Sequence, residues 1–372
     1  MRQLTGFLFL LLLLAILAGG TLYLGKGLAR HFALASPRSL LILFALATLW
    51  MGFGIAGLSN ATGTMARVGY ILAASLMGFL LYLLLSLALA DLIGLVVPLP
   101  PRTGGWAILG LALGLSLFGV FQAYRIRPAE VVVEMPGLRE PVRVVHLTDI
   151  HLGHFRGKPF LSRLVRMSRS VRPDLVFITG DLFDGKIQMG NGSLEPLGEL
   201  EVPVYFVAGN HDGYSGVAQV KSELKDQGVR VLSNQVAEEG ELQIIGLEHM
   251  RADGGSRDMH GLADGPTVHD VLAGLTVDPD RPTVLLHHSP VGIPYARDKG
   301  TDLYLSGHTH GGQLFPITLL GRLMYPYNKG LYDHGGMKVY VGEGAGTFGP
   351  PMRLGTRGRV VLVRLEPSPD PA

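Results

Sequence analysis

At 372 residues the chain is long enough for two domains, and 17% charged against 48% hydrophobic residues is more apolar than an ordinary soluble protein. A formal net charge of +2, with no long lysine or arginine run, gives no electrostatic footprint for nucleic acid, and none is expected as a partner. The absence of cysteine excludes disulfides and thiolate metal ligands, which leaves His, Asp, Glu and Asn as donors for any metal.

The shortage of charge is local. Before Arg125 the chain is almost entirely Leu, Ala, Gly, Phe and Ile, and after it charge returns to globular density. Residues 6–24, 40–58, 68–97 and 106–124 are each long enough, at about 1.5 Å per residue, to cross a hydrocarbon core of about 30 Å. Arg2 and the leucine run ending Ala18-Gly19-Gly20 also fit a secretory signal, but three further spans favour an uncleaved first helix. Trp106 and Tyr124 lie where interfacial aromatics belong. Orientation stays open, because Arg2, Arg67, Arg125 and Arg127 on one side balance Lys26, Arg30, Arg38 and Arg102 on the other. Asp91 is the single acid within the spans; since residues 68–90 already suffice to cross, it is expected at the interface.

From Ala129 short β-branched runs alternate with amphipathic stretches. Strands are predicted at 131–134, 142–147, 174–179, 202–208, 229–232, 241–247, 283–286, 302–305, 338–341 and 359–365, and helices at 159–171, 217–227 and 267–275. This alternation argues for α/β layers, with the helix-poor later half forming a second, partly antiparallel sheet. The organisation expected is a membrane domain over 1–127, a soluble domain over 128–366 and a disordered Pro-rich tail over 367–372.

Five predicted strands run into polar clusters at their carboxyl ends, where open α/β sheets place their sites. The clusters are Asp149-Ile150-His151, Gly180-Asp181-Leu182-Phe183-Asp184, Gly209-Asn210-His211-Asp212, His287-His288-Ser289-Pro290 and Gly307-His308-Thr309-His310. Two divalent ions about 3.5–4 Å apart can clamp a phosphoryl group and acidify a water between them, and a carboxylate from a central strand, such as Asp181, can bridge them. Mixed His, Asp and Asn donors suit Mn, Fe or Zn, with Mn favoured, and suit Mg or Ca poorly.

Asp149-x-His151, Gly180-Asp181-x-x-Asp184, Gly209-Asn210-His211-Asp212, His288-x-Pro290 and Gly307-His308-Thr309-His310 together resemble the ordered signature of the calcineurin-like metallophosphoesterases, over residues 131–365. The segment 340–355, with Gly346-Thr347-x-Gly349 and Pro351-x-Arg353-x-Gly355, is similar to a bacterial branch of membrane-attached and exported phosphoesterases and UDP-diacylglucosamine hydrolases. The resemblance implies a four-layer α/β/β/α sandwich behind four membrane helices, two divalent ions and hydrolysis of a phosphoester or pyrophosphate, with a lipid-linked substrate as one candidate. It implies Asp149, His151 and His310 on one ion, Asn210, His288 and His308 on the other, Asp181 bridging, and His211 as the acid, its ring oriented by Asp212 or a neighbour. It also implies a multi-pass protein of the bacterial inner membrane. Two departures from the branch bear on substrate: Gly342-Glu343-Gly344 lacks a usual cation, and Leu247-Glu248-His249 with the insert 251–265 replaces a shorter acidic turn.

His287 is the substitute for His288, and Asp184 reads as a turn former or a support for a ligand. The remaining histidines of the soluble part, His146, His154, His249, His260, His269 and His334, read as structural or solvated. The run 315–327 is strongly apolar for a loop beside a polar site and reads as core filling or as a surface for lipid. Two competing functions remain: a nucleotide or cyclic-nucleotide phosphodiesterase that its helices merely localise, and a transporter or receptor with a hydrolase fold that only binds.

Overall fold

The computed structural model describes residues 2–253, 261–262 and 264–368. His260, part of the insert and positions 369–372 lie outside the described residues. The chain divides into two compact units, Met1–Phe121 with Gly349–Met352, and Gln122–Phe348 with Arg353–Ala372.

The first unit holds four helices long and apolar enough to cross a membrane, α1 (Arg2–His31), α2 (Arg38–Leu58), α3 (Thr64–Gly94) and α4 (Thr103–Tyr124). The third ends at Gly94, three residues before the predicted limit of the span. Helices in lipid gain from close backbone approach, and Gly54 supplies it: a Cβ there would stand 2.3 Å from the Cβ of Ala73. Asp91 is tied to α1, accepting from Tyr23 Oη at 2.8 Å and Arg30 Nη2 at 2.6 Å, with His31 Nε2 at 2.8 Å.

The second unit contains two six-stranded sheets. One runs β1 (Arg127–Met135), β12 (Arg359–Pro367), β2 (Val142–Leu147), β3 (Leu175–Thr179), β4 (Val204–Val207), β5 (Arg230–Val231). The other runs β10 (Gly330–His334), β11 (Met337–Val341), β9 (Leu303–Ser306), β8 (Thr283–Leu286), β7 (Leu242–Gly246), β6 (Gln235–Glu239). The second is parallel through β11, β9, β8 and β7 and antiparallel at both edges.

Continuous apolar strands mean burial on both faces, and the pleat sorts their residues. Val176 and Ile178 of β3 face an outer core with α5 (Lys158–Ser170) and α6 (Asn210–Asp226), whereas Leu175 and Phe177 face the other sheet. On the second sheet Val284 and Leu286 point to the shared inner core, and Leu285 points out to α7 (Val268–Gly274) and α8 (Ile293–Asp298). The layers are therefore α/β/β/α. Residues 317–324, read as loop, form α9 (Ile317–Met324). Pro367 and Ser368, expected in the tail, are ordered: Pro367 pairs with Met135 and the Ser368 amide donates to the Met135 carbonyl at 3.2 Å.

Candidate metal centre

The parallel strands β2, β3 and β4 of one sheet and β8 and β9 of the other end side by side, and each turns sharply into its polar cluster. The turns are built from strained backbone: Asp149, His151, Asp181, His308 and His310 all have φ between 49° and 69°. Each such non-glycine residue costs on the order of 1 kcal/mol. The turns close on one another through backbone hydrogen bonds, Asp149 N to Gly180 O at 3.1 Å, His151 N to Asp181 O at 3.0 Å and Gly307 N to His288 O at 2.9 Å. The neighbouring glycines are close-packed: a Cβ on Gly307 would lie 1.9 Å from Thr148 Oγ1, and one on Gly209 would lie 2.2 Å from Asp181 Oδ1.

All seven residues expected as ligands meet here. His310 Nε2 is 3.2 Å from Asp149 Oδ1 and 3.1 Å from His151 Nε2. His288 Nε2 is 3.1 Å from Asp181 Oδ2 and 3.2 Å from His308 Nδ1, which is 3.0 Å from Asn210 Oδ1. Asp181 Oδ2 is 3.7 Å from His151 Nε2, so Asp181 faces both groups. Among the described residues three groupings have the spacing of metal ligands: Asp149 with His151 and His310, Asp149 with Asp181 and His288, and His151 with Asp184 and His211. Donors about 2.1 Å from one ion at right angles stand about 3 Å apart, the spacing found here, and the donor set is the mixed nitrogen and oxygen kind that holds first-row divalent ions. The residues therefore fit such ions. His288 rather than His287 faces the cluster; His287 Nδ1 is turned to Tyr304 Oη at 2.8 Å. His288 is fixed by its own Nδ1, 2.8 Å from the Thr179 carbonyl.

His211 and Asp212 separate in role. At the N-terminus of α6 the Asp212 carboxylate reaches back, as a capping-box side chain does, and accepts from the amides of Gly209 (2.9 Å), Asp181 (2.8 Å), Leu182 (3.0 Å) and Phe183 (3.3 Å). Asp212 thus holds the Asp181 turn, and the ring of His211 pairs instead with Asp184, Nδ1 to Oδ1 at 3.2 Å. Burial draws the His211 ring down, but the hydrogen bond to Asp184 and the charges of Asp181 and Asp184 outweigh it and raise it to about 9. Burial, with the charge of Asp181, pushes the Asp212 carboxyl up to about 6. Burial opposes ionisation of Asp181 as well, yet the adjacent His288 holds its carboxyl well below the usual range.

Four residues around the centre were given no part in it by the sequence, His249 being read as structural or solvated and Tyr325 as part of the apolar run 315–327. Arg353 is fully buried and donates to the carbonyls of Glu343 (2.7 Å) and Gly346 (2.6 Å), with Nη2 against His310 Nδ1 at 3.3 Å. Burial lowers its guanidinium to about 10. Its place in Pro351-x-Arg353-x-Gly355 was the available signal. Phe348 caps the centre with its ring 5.0 Å from that of His310 and 6.1 Å from that of His211. Tyr325 Oη is 3.2 Å from His308 Nε2. The ring of His249 lies 6.4 Å from those of both His288 and His308.

The sequence profile of the calcineurin-like phosphoesterases matches residues 142–312. Among curated proteins, the chain is 35% identical over 273 residues to a "Transmembrane protein with metallophosphoesterase domain" of Danio rerio, a match covering 68% of this chain and 60% of that protein. It is 32% identical to an "Uncharacterized metallophosphoesterase" of Helicobacter pylori, covering 72% of this chain and 74% of the relative. It is 28% identical to "Phosphodiesterase YaeI" of Escherichia coli, covering 60% and 82%. The chain thus spans about 60% of the length of its vertebrate relatives.

Proposed function

The chain belongs to the calcineurin-like phosphoesterases, and on that footing we propose that it is a dinuclear-metal hydrolase of a phosphoester or pyrophosphate, held in the membrane by α1 to α4. The observation that carries this reading is the meeting of two ligand groupings at Asp149, one of them with Asp181, beside the His211–Asp184 pair. Asp149, His151 and His310 would hold one ion, Asn210, His288 and His308 the other, and Asp181 both; manganese is favoured, with iron or zinc as the alternatives. Such ions supply Lewis acidity toward the phosphoryl oxygens and acidify a water.

The residues of the chain do the rest. In hydrolysis the oxygen of water bonds to phosphorus as the bond from phosphorus to the leaving oxygen breaks, and that oxygen must gain a proton. His211, its Nδ1 held 3.2 Å from the Asp184 carboxylate that favours its protonated form, is the acid that gives it. Asp212 keeps the Asp181 turn in place, and Arg353 keeps the 343–346 loop folded against His310. A lipid-linked phosphoester is the substrate class that residence in a bilayer favours, and the bacterial inner membrane is the location proposed, with relatives in both bacteria and vertebrates.

The test is metal analysis and a phosphoester panel on the purified full chain with manganese supplied. Asp181→Asn is expected to lose metal and activity together. His211→Ala is expected to keep its metal and lose roughly a hundredfold or more in turnover. Full activity in either variant would overturn the assignment.

A further inference from the structure

Beside the centre lies a groove of about 470 Å³ between α8 and the C-terminal end of α9, walled by Val291, Ile293, Tyr295, Leu323, Tyr325 and Tyr327. Its wall is mainly apolar, and the Tyr327 hydroxyl is already paired with His334 Nδ1 at 2.6 Å. Tyr325 is shared: its ring lines the groove, and its hydroxyl is 3.2 Å from His308, a proposed ligand. A molecule whose phosphoester sits at the metal ligands would therefore meet this groove with the next part of its structure.

The outer wall of the groove opens onto an unusual surface. Phe315, Ile317, Leu319, Leu320 and Leu323 are 49%, 41%, 53%, 54% and 76% exposed. Positions 319, 320 and 323 share one face of α9, and Leu323 belongs both to that face and to the groove. Large apolar side chains massed on one short helix are unfavourable in water and favourable at a lipid interface. The same chain carries four helices long and apolar enough to cross a bilayer.

Resting on the phosphoesterase reading, we propose that this groove receives an acyl chain of a phospholipid-class substrate, with the apolar face of α9 as the entry from the bilayer and Tyr325 at the junction between chain and phosphoester. The polar end of the lipid is then held by the ligand cluster and the apolar end by α8 and α9. Discrimination comes from the chain, because transfer of each methylene into an apolar site is favourable.

Two measurements on the full chain in mixed micelles test this. The first compares kcat/KM for long-chain and short-chain, monomeric phosphatidate, which share a headgroup. Leu323→Glu places a carboxylate at the groove mouth, at a position too exposed to endanger the fold, and should lower the long-to-short ratio about tenfold. A ratio that does not move, including a parallel loss on both esters, overturns the proposal. The second uses long-chain phosphatidate with a photoactivatable group near the end of the acyl chain and maps the labelled peptides. Labels on 291–295 and 323–327, displaced by unlabelled lipid, support the groove; labels confined to the four spans overturn it. If neither ester is hydrolysed, the phosphoesterase reading fails on this class of substrate and the labelling still decides the groove. If Leu320→Glu instead converts an oligomer into a monomer and the groove stays unlabelled, a second copy covers α9 and the proposal falls.

Discussion

Asp184 and Asp212 flank His211 with the same carboxylate and opposite tasks, one facing the ring and the other the backbone. The difference is measurable. Asp184→Asn removes the charge that raises His211, so less of the ring is protonated at a given alkaline pH. The alkaline limb of the rate profile should move to lower pH, with turnover at pH ~8 down about tenfold and metal content kept. A limb that stays in place would separate Asp184 from the acid. Asp212→Asn should act on stability instead, because an amide cannot accept four backbone N–H groups on two oxygens. A cost of about 2–4 kcal/mol is expected, read as a lower melting temperature of the catalytic unit. At this scale the residue types of the site were legible and the direction of each side chain was not. His287 and His288 are adjacent and both buried; only the turn into the Thr179 carbonyl makes the second face Asp181.

At the scale of elements, the buried central strands announce themselves because both of their faces are apolar. The edge strands β6 and β10 escape the reading, as their half-exposed sequences QVAEE and GLYDH lack an apolar run. α9 escapes it too, since eight residues give barely two turns in which a helical period can show. The ligand turns depend on close approach rather than on periodicity. Gly307→Ala would drive a methyl group into Thr148 Oγ1 and Asp149 Oδ2, at 1.9 and 2.3 Å, and should abolish metal binding on analysis of the purified protein. Gly213→Ala, in α6 with nothing within 4 Å of its Cβ, is the matching control, and should keep metal and gain up to ~1 kcal/mol. Equal metal content in the two would show that the turn at Gly307 has room to move.

For the whole molecule, metal binding and folding are linked in one unit only. The proposed ligands come from five strand ends of the catalytic unit, which come together only on folding, so ions held by them would bind the native form and stabilise it. At free metal near a hundred times Kd each ion contributes about 2.7 kcal/mol, and in a unit of this size chelation should lower the melting temperature by roughly 10 °C. Trp50 and Trp106, the two tryptophans, are on α2 and α4. Tryptophan fluorescence should therefore melt at the same temperature with and without chelator while the ellipticity of the catalytic unit shifts. A common shift in both signals would show that the two units unfold together.

The amino-acid sequence by itself determined the four apolar spans, the α/β character of the remainder and the identity of the polar clusters at the strand ends. These are local properties: composition sets what can lie in lipid, alternation sets what is buried, and a glycine beside a ligand-type residue marks a turn. Tertiary structure alone decided that β12, from the end of the chain, lies between β1 and β2, that Arg353 reaches His310, and that the His308 amide meets the Asp149 carboxylate across 159 residues. It also decided which aspartate serves His211 and set an apolar groove against Tyr325. The reason is physical. Which side chains face one another follows from the order and register of strands, and those are fixed by the packing of the whole unit rather than by any stretch of sequence within it.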